Sequence, residues 1–279
     1  MTGKAMRPRK LLDVVSLTKK YPSKTNLIGR PVEFHTAVNQ VSFHVNEGEV
    51  LSLVGESGSG KSTIGKCLLK VTDMTEGFIY FDGQDISNLK PEEARTMRRN
   101  MQMIFQDPYS SLNPKHTVRE ILSLPLKVHR LARTGAEREK RIKEVLDLVG
   151  IPAAYMERYP HEFSGGQKQR IGIARALMSK PKLIIADEAV SALDVSIQAQ
   201  VINLLVQLKK ELGLTLLFIS HDLAVVNYIS DRVAVLYRGD LVEVGSVHEV
   251  YSQPKHEYTR LLLSSSPLPD PARRRGVSV

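Results

Sequence analysis

The chain has 279 residues and a formal net charge of +9, which allows one large domain with a full hydrophobic core. The charge suits a nucleic acid, an anionic membrane surface or a polyphosphate, but no stripe of aromatic and basic residues of the kind that stacks bases is present. A single cysteine, Cys67, excludes an internal disulfide and a cysteine metal cluster. No apolar run has the length of a membrane span or signal peptide, so a cytoplasmic protein is expected.

The first well-defined pattern, residues 48–71, predicts a turn, a strand, a glycine-rich loop and a helix. The loop "GESGSGKST" fits G-x-x-x-x-G-K-[ST], and its glycines permit backbone conformations that turn consecutive N–H groups towards phosphate oxygens. Lys61 is expected to reach the β- and γ-phosphates, and the Ser62 hydroxyl can ligate Mg²⁺. The residues predicted to bind ATP here are Gly55, Glu56, Ser57, Gly58, Ser59, Gly60, Lys61, Ser62 and Thr63.

The next segments predict an α/β architecture with a helical insertion. Residues 77–86 predict two short strands joined by a turn at Asp82-Gly83, and charged helical stretches dominate from Pro91 to about Tyr159. Strands and helices then alternate again, including a long helix over about 195–212 that ends at Gly213. This alternation predicts a largely parallel sheet covered on both faces.

Two adjacent acids end the apolar run at residues 183–186, which predicts a buried strand. Neighbouring carboxylates repel each other, so something positive must compensate them unless water simply solvates the pair. Beside a glycine-rich phosphate loop, Asp187 suits a role in holding Mg²⁺. Glu188 is then free to orient or polarise an attacking water.

A second serine- and glycine-containing helix start lies at residues 163–177, "FSGGQKQRIGIARAL". A serine and two glycines at a helix start are usually only a cap. The whole string, about twenty residues before the acid pair, resembles the signature of ATP-binding cassette (ABC) ATPases, and the resemblance covers roughly residues 10–265. It implies a P-loop NTPase (RecA-like) α/β core with an N-terminal antiparallel β subdomain and an inserted α-helical subdomain. The expected divisions are a tail (1–10), the ABC ATPase domain (11–246, helical part about 90–164) and a C-terminal helix and tail (247–279).

The resemblance also assigns roles to residues outside the glycine-rich loop. Gln106 matches the glutamine that touches Mg²⁺ or the attacking water, and His221 matches the histidine that contacts the γ-phosphate. Tyr21 is the candidate for stacking on adenine, with Phe34 and His35 as alternatives. The signature residues that would cover ATP in a partner subunit are Ser164, Gly165, Gly166 and Gln167, and residues 191–194 match the loop that crosses to that partner. Together these matches imply a head-to-tail dimer with ATP and Mg²⁺ at composite sites.

Within the family, the chain resembles the second ATPase of oligopeptide, dipeptide and nickel importers. The strings that carry this likeness are "FQDPYSSLNP" (105–114), "RYPHEFSGGQKQRIGIARAL" (158–177), "VSALDVSIQAQV" (190–201), "FISHDLAVV" (218–226) and "PKHEYTRLLLSSSPLPDP" (254–271). The implied partners are a non-identical ATPase paralogue, two transmembrane permease subunits and an extracytoplasmic binding protein, at the cytoplasmic membrane face. The alternative is a soluble ABC ATPase acting on DNA or the ribosome, but the long coiled-coil insertion or second cassette usual in such proteins is not visible. No nucleic acid partner is expected.

Overall fold

The computed structural model describes residues 9–25 and 31–265. The described strands are β1 (Lys10–Thr25), β2 (Pro31–Asn46), β3 (Val50–Val54), β4 (Glu76–Phe81), β5 (Gln84–Asp85), β6 (Met101–Ile104), β7 (Leu183–Asp187), β8 (Thr215–Ile219), β9 (Arg232–Tyr237) and β10 (Asp240–Ser246). The described α-helices are α1 (Lys61–Leu68), α2 (Pro91–Asn100), α3 (Pro108–Ser111), α4 (Val118–Val128), α5 (Gly135–Leu148), α6 (Gly165–Leu177), α7 (Val195–Leu212), α8 (Leu223–Ile229), α9 (Val247–Ser252) and α10 (Glu257–Ser264). Residues 1–8 of the predicted N-terminal tail and residues 266–279 of the predicted C-terminal segment lie outside the described residues.

A six-stranded sheet in the order β10-β9-β3-β8-β7-β6 forms the core. Its strands run parallel except for β10, which pairs antiparallel with β9. Every residue of β3, β7 and β8 is buried, as expected for central parallel strands covered on both faces. Because parallel strands end at the same edge of a sheet, the segments that follow β3, β6, β7 and β8 converge there. This confirms the predicted parallel α/β core.

A second, antiparallel sheet in the order β2-β1-β4-β5 is formed largely by the N-terminal part of the chain. The predicted turn between β4 and β5 is present, with positive φ angles at Asp82 (53°) and Gly83 (79°), as a tight hairpin turn requires. Strand β2 brings Ala37 beside the glycine-rich loop. The N-terminal antiparallel sheet that the resemblance implied is therefore observed, and it lies against the core.

The middle of the chain is mainly helical, with α4 and α5 packed against α6. Helix α4 begins with a capping box, in which Thr117 and Glu120 satisfy each other's backbone N–H groups. Strand β6 interrupts this block and joins the core sheet beside β7, although its four residues give no clear strand signal. The boundaries at about 90–164 remain a prediction. Helix α7 ends at Gly213 with φ 63°, as expected.

Among the described helices, none combines the length and the apolar character that crossing a membrane requires.

Candidate nucleotide-binding site

The glycine-rich loop Gly55–Thr63, called the P-loop below, connects the carboxyl end of β3 to α1. Gly60 has φ 103°, and a Cβ there would lie 2.4 Å from the carbonyl oxygen of Ala37. Gly55 is equally constrained, since a Cβ would lie 2.2 Å from the carbonyl oxygen of Leu236. Both positions therefore require glycine, and the loop presents its backbone at the N-terminus of α1, where phosphates bind well.

Lys61 is buried at the first position of α1. Its ammonium group donates to the carbonyl oxygens of Gly55 and Glu56, both at 2.7 Å, so the loop folds around its own cation. Burial lowers the pKa of Lys61, while the carboxylates of Glu188 and Asp187 oppose this shift. A buried cation that is partly desolvated gains from a nearby anion, which suits Lys61 to a phosphate.

Ser62 and Asp187 meet at the edge of the core sheet. The Ser62 hydroxyl donates to Oδ1 of Asp187 at 2.8 Å, although 125 residues separate them in the chain. Burial raises the pKa of the Asp187 carboxyl, and the Ser62 hydrogen bond and neighbouring lysines act against this increase. A hydroxyl and a carboxylate are oxygen ligands of the kind that Mg²⁺ prefers. The Ser62 and Asp187 side chains therefore fit a Mg²⁺ ion.

Glu188 forms the centre of a polar cluster with two other predicted residues. Its Oε2 accepts a hydrogen bond from Nε2 of Gln106 at 2.9 Å and lies 3.4 Å from Nδ1 of His221. The backbone of Glu188 has φ 46°, an uncommon conformation for a residue with a side chain, and its N–H donates to the Ile219 carbonyl. The structure thus brings Glu188, Gln106 and His221 together. Gln106 contacts Glu188 and Ser191 through its amide, whereas Asp187 is bonded to Ser62.

The signature segment, Ser164–Gln167, begins α6. The Ser164 hydroxyl accepts from the Gln167 N–H at 3.3 Å, and the Gln167 side chain accepts from the Ser164 N–H at 3.0 Å. These side chains therefore cap their own helix. Within the described residues, no hydrogen bond of Ser164 or Gln167 reaches the P-loop.

The candidates for adenine stacking lie on β1 and β2. Tyr21 is opposite His35 in this pairing, and Phe34 is opposite Pro22. The Tyr21 ring is partly exposed, with the ammonium group of Lys19 4.8 Å from its centroid. All three aromatic candidates lie on the strand pair that passes Ala37 and the P-loop, and the choice among them stays a prediction.

Two contacts to the P-loop were not predicted. The N–H of Gly239, in the turn between β9 and β10, donates to the Ser59 carbonyl at 3.1 Å. The hydroxyl of Tyr258, on α10, accepts from the Glu56 N–H at 3.0 Å. No local sequence pattern could reveal either contact, because each joins segments about 180 to 200 residues apart.

These features define a P-loop nucleotide-binding ATPase. The family model for ABC transporters matches residues 38–191. The chain belongs to the ABC transporter family and is an ATP-binding subunit with ATPase activity, which confirms the predicted family and enzyme class.

The relatives and solved structures agree with this assignment. The oligopeptide transport ATP-binding protein AppF of Bacillus subtilis is 52% identical over 267 residues, covering 95% of this chain and 80% of its own length. The oligopeptide transport ATP-binding protein OppF of Streptococcus mutans is 55% identical over 239 residues, covering 86% and 78%. The dimeric post-hydrolysis structure of the ATP-binding cassette MJ0796 with ADP and Pi has a TM-score of 0.74 and 32% identity, covering 85% and 98%.

Proposed function

We propose that this ATPase energises the uptake of peptides through a membrane permease, as a peripheral subunit on the cytoplasmic membrane face. The observation that supports hydrolysis best is the cluster around Glu188, beside a P-loop with a buried lysine. The proposed substrate class rests on AppF and OppF, whose names specify oligopeptide transport. Peptides are favoured over nickel for that reason.

ATP binding is assigned to the P-loop together with one aromatic residue. Backbone N–H groups at the start of α1 bind the phosphates, and Lys61 exchanges its contacts to Gly55 and Glu56 for phosphate oxygens. Tyr21 stacks on the adenine. Ser62 and Asp187 would hold the Mg²⁺, and Gln106, which is bonded to Glu188, would contact the ion or the attacking water. When bound, the ion neutralises charge that develops on the phosphates.

Hydrolysis is assigned to Glu188 as the residue that orients the attacking water. Water attacks the γ-phosphorus, the bond to the bridging oxygen breaks, and ADP and phosphate result, with the water proton taken up by Glu188 or passed to solvent. Gln106 and His221 both contact the Glu188 carboxylate, so they fix its orientation. His221 is exposed enough to reach the γ-phosphate as well.

The exposed Ser164 at the start of the signature segment supports a head-to-tail dimer in which this segment covers ATP on a second subunit. We assign that place to a non-identical paralogue, and the complex also includes two permease subunits and an extracytoplasmic binding protein. ATP closes the dimer because signature and γ-phosphate contacts exist only in the closed state, and such differential contacts shift the equilibrium.

The substitution Glu188→Gln tests this proposal in the assembled transporter. We expect the hydrolysis rate to fall at least about a hundredfold, because the amide cannot accept the proton of water. ATP binding should persist, so a stable nucleotide-bound dimer should accumulate and be visible by size-exclusion chromatography.

Glu211→Gln is the matched control, since Glu211 is an exposed acid near the end of α7 that is bonded only to Gln207 among the described hydrogen bonds. It should hydrolyse ATP at the normal rate. A normal rate for the Glu188→Gln transporter would remove Glu188 from its role. Purification of the chain with ribosomes or nucleic acid instead of permease subunits would contradict the transport function.

A further inference from the structure

The C-terminal helix α10 contacts the P-loop through one buried hydroxyl. Tyr258 is 5% exposed, and its Oη accepts the hydrogen bond from the Glu56 backbone N–H at 3.0 Å. Glu56 is the second residue of the P-loop. We propose that Tyr258 is a positioning residue for the P-loop, so that α10 helps to set the affinity of this ATPase for nucleotides. The inference rests on the proposed role of the P-loop in ATP binding.

The Tyr258 ring is held in place by a second tyrosine at the end of β9. The centroids of the Tyr258 and Tyr237 rings are 4.1 Å apart with an angle of 31° between their planes. Burial raises the pKa of Tyr258, so its hydroxyl keeps its proton and accepts through a lone pair. The ring, packed at an angle against Tyr237, thus directs a neutral acceptor at one N–H of the P-loop.

Helix α10 is itself fixed to the core sheet. Glu243, on β10, accepts hydrogen bonds from the backbone N–H groups of Lys255 at 2.9 Å and His256 at 3.0 Å. The His256 ring then caps α10 by accepting from the Tyr258 N–H at 3.1 Å. Burial acts to raise the pKa of the Glu243 carboxyl, but the Thr259 side chain and the N–H groups of Lys255 and His256 together lower it. Hydrogen bonds therefore connect β10, through Glu243, to the start of α10 and to Tyr258.

Two hydrogen bonds from distant segments hold the P-loop, one at Glu56 and one at Ser59. Tyr258 accepts from the Glu56 N–H, and the Gly239 N–H donates to the Ser59 carbonyl at 3.1 Å. Gly58 lies between these points, and a Cβ at this position would have no atom within 4 Å. A loop fixed on both sides has less conformational entropy to lose when a ligand binds, so its affinity is higher.

The test is Tyr258→Phe in the full chain, with ADP and ATP binding measured by isothermal titration calorimetry. Phenylalanine keeps the stacking but leaves the Glu56 N–H without its acceptor. We expect the Kd of both nucleotides to rise about three- to tenfold, the typical effect of one lost hydrogen bond. In the assembled transporter the KM for ATP should rise equally while kcat stays within about twofold, since the contact is the same in the ground and transition states.

Tyr237→Phe is the matched control. It removes a hydroxyl from the other ring of the pair, and no hydrogen bond of that hydroxyl exists among the described residues. Its nucleotide Kd should not change. Melting temperatures separate the two roles, because a merely stabilising contact would lower the melting temperature of Tyr258→Phe without changing Kd at 25 °C.

Glu243→Ala tests the same path from its other end. It removes both acceptors at the start of α10 and should raise Kd in the same direction as Tyr258→Phe. The nucleotide Kd of the double variant should not exceed the higher of the two single-variant Kd values, because both changes break the same contact between Tyr258 and Glu56.

Unchanged Kd values for Tyr258→Phe, or additive effects in the double variant, would overturn the inference. Lys61→Ala distinguishes this failure from failure of the proposed function. If Lys61→Ala loses nucleotide binding while Tyr258→Phe binds normally, the P-loop role stands and only the role of Tyr258 falls. If Lys61→Ala binds normally, the proposed function itself is wrong.

Discussion

The P-loop and the signature segment both place glycines at the start of a helix, but they use them for different purposes. In the P-loop, Gly55 and Gly60 have positive φ, and a side chain at either position would collide with backbone. In the signature segment, neither glycine has positive φ, and a Cβ at Gly166 would meet only the Ile197 side chain, at 2.3 Å. Glycine is thus needed for the backbone conformation in the P-loop, whereas in the signature segment Gly166 allows close packing against Ile197.

The two segments also differ in what surrounds them. The P-loop encloses a buried Lys61, and Ser62 is bonded to Asp187 from a distant strand. In the signature segment, the side chains of Ser164 and Gln167 each accept a hydrogen bond from the other residue's backbone N–H, and Ser164 is exposed. The first region has the backbone and the cation of a phosphate site, whereas the side chains of the second cap their own helix. This difference agrees with the proposal that the signature segment acts on a second subunit.

The largest expected difference between the P-loop and the signature segment is in ATP affinity, and Lys61→Ala tests it. The Kd of the isolated full chain for ATP should rise by about a hundredfold or more, since a buried cation that binds phosphate is lost. Ser164→Ala should leave that Kd within about twofold and should slow hydrolysis only in the assembled complex. Calorimetric titration measures both variants, and weaker ATP binding by isolated Ser164→Ala would place the signature segment in the site of its own chain.

A smaller effect, on folding stability, separates the two kinds of glycine. Gly60→Ala should lower the free energy of unfolding by roughly 3 kcal/mol, through a strained φ and a clash with the Ala37 carbonyl. Gly165→Ala should change it by less than about 1 kcal/mol, because its nearest contact would be the Leu193 side chain at 3.4 Å. Urea unfolding followed by circular dichroism gives both values. Equal losses would show that the two glycines are constrained alike.

The smallest expected effect concerns Cys67, which lies on the buried face of α1, the helix that follows the P-loop. Burial raises the pKa of its thiol to about 11, so at pH 8 the thiol is neutral and lacks the reactive thiolate. We expect no reaction with Ellman's reagent in the native chain and one equivalent after unfolding. If Cys67 reacted rapidly with Ellman's reagent in the native chain, α1 would have to open readily. The P-loop, which leads into α1, would then be less rigid than the signature helix.

Local chemistry allowed several parts of the molecule to be predicted from the sequence. The P-loop, the hairpin turn at Asp82-Gly83 and the end of α7 at Gly213 each depend on residues that favour one backbone conformation. The continuous apolar run of β7 indicated a buried strand, and the acids Asp187 and Glu188 were identified because they end that run. The role of Glu188 was given by resemblance, and its contacts to Gln106 and His221 agree with it.

The sequence by itself therefore determined the local elements, because turns, caps and buried strands follow from the conformational preferences and burial of neighbouring residues. Only the tertiary structure decided which distant groups meet. Strand β6 is a strand because it pairs with β7, and Tyr258 reaches Glu56 across 202 residues because β10 fixes the start of α10. Such contacts depend on sheet order and on hydrogen bonds between distant segments, which no short stretch of sequence encodes.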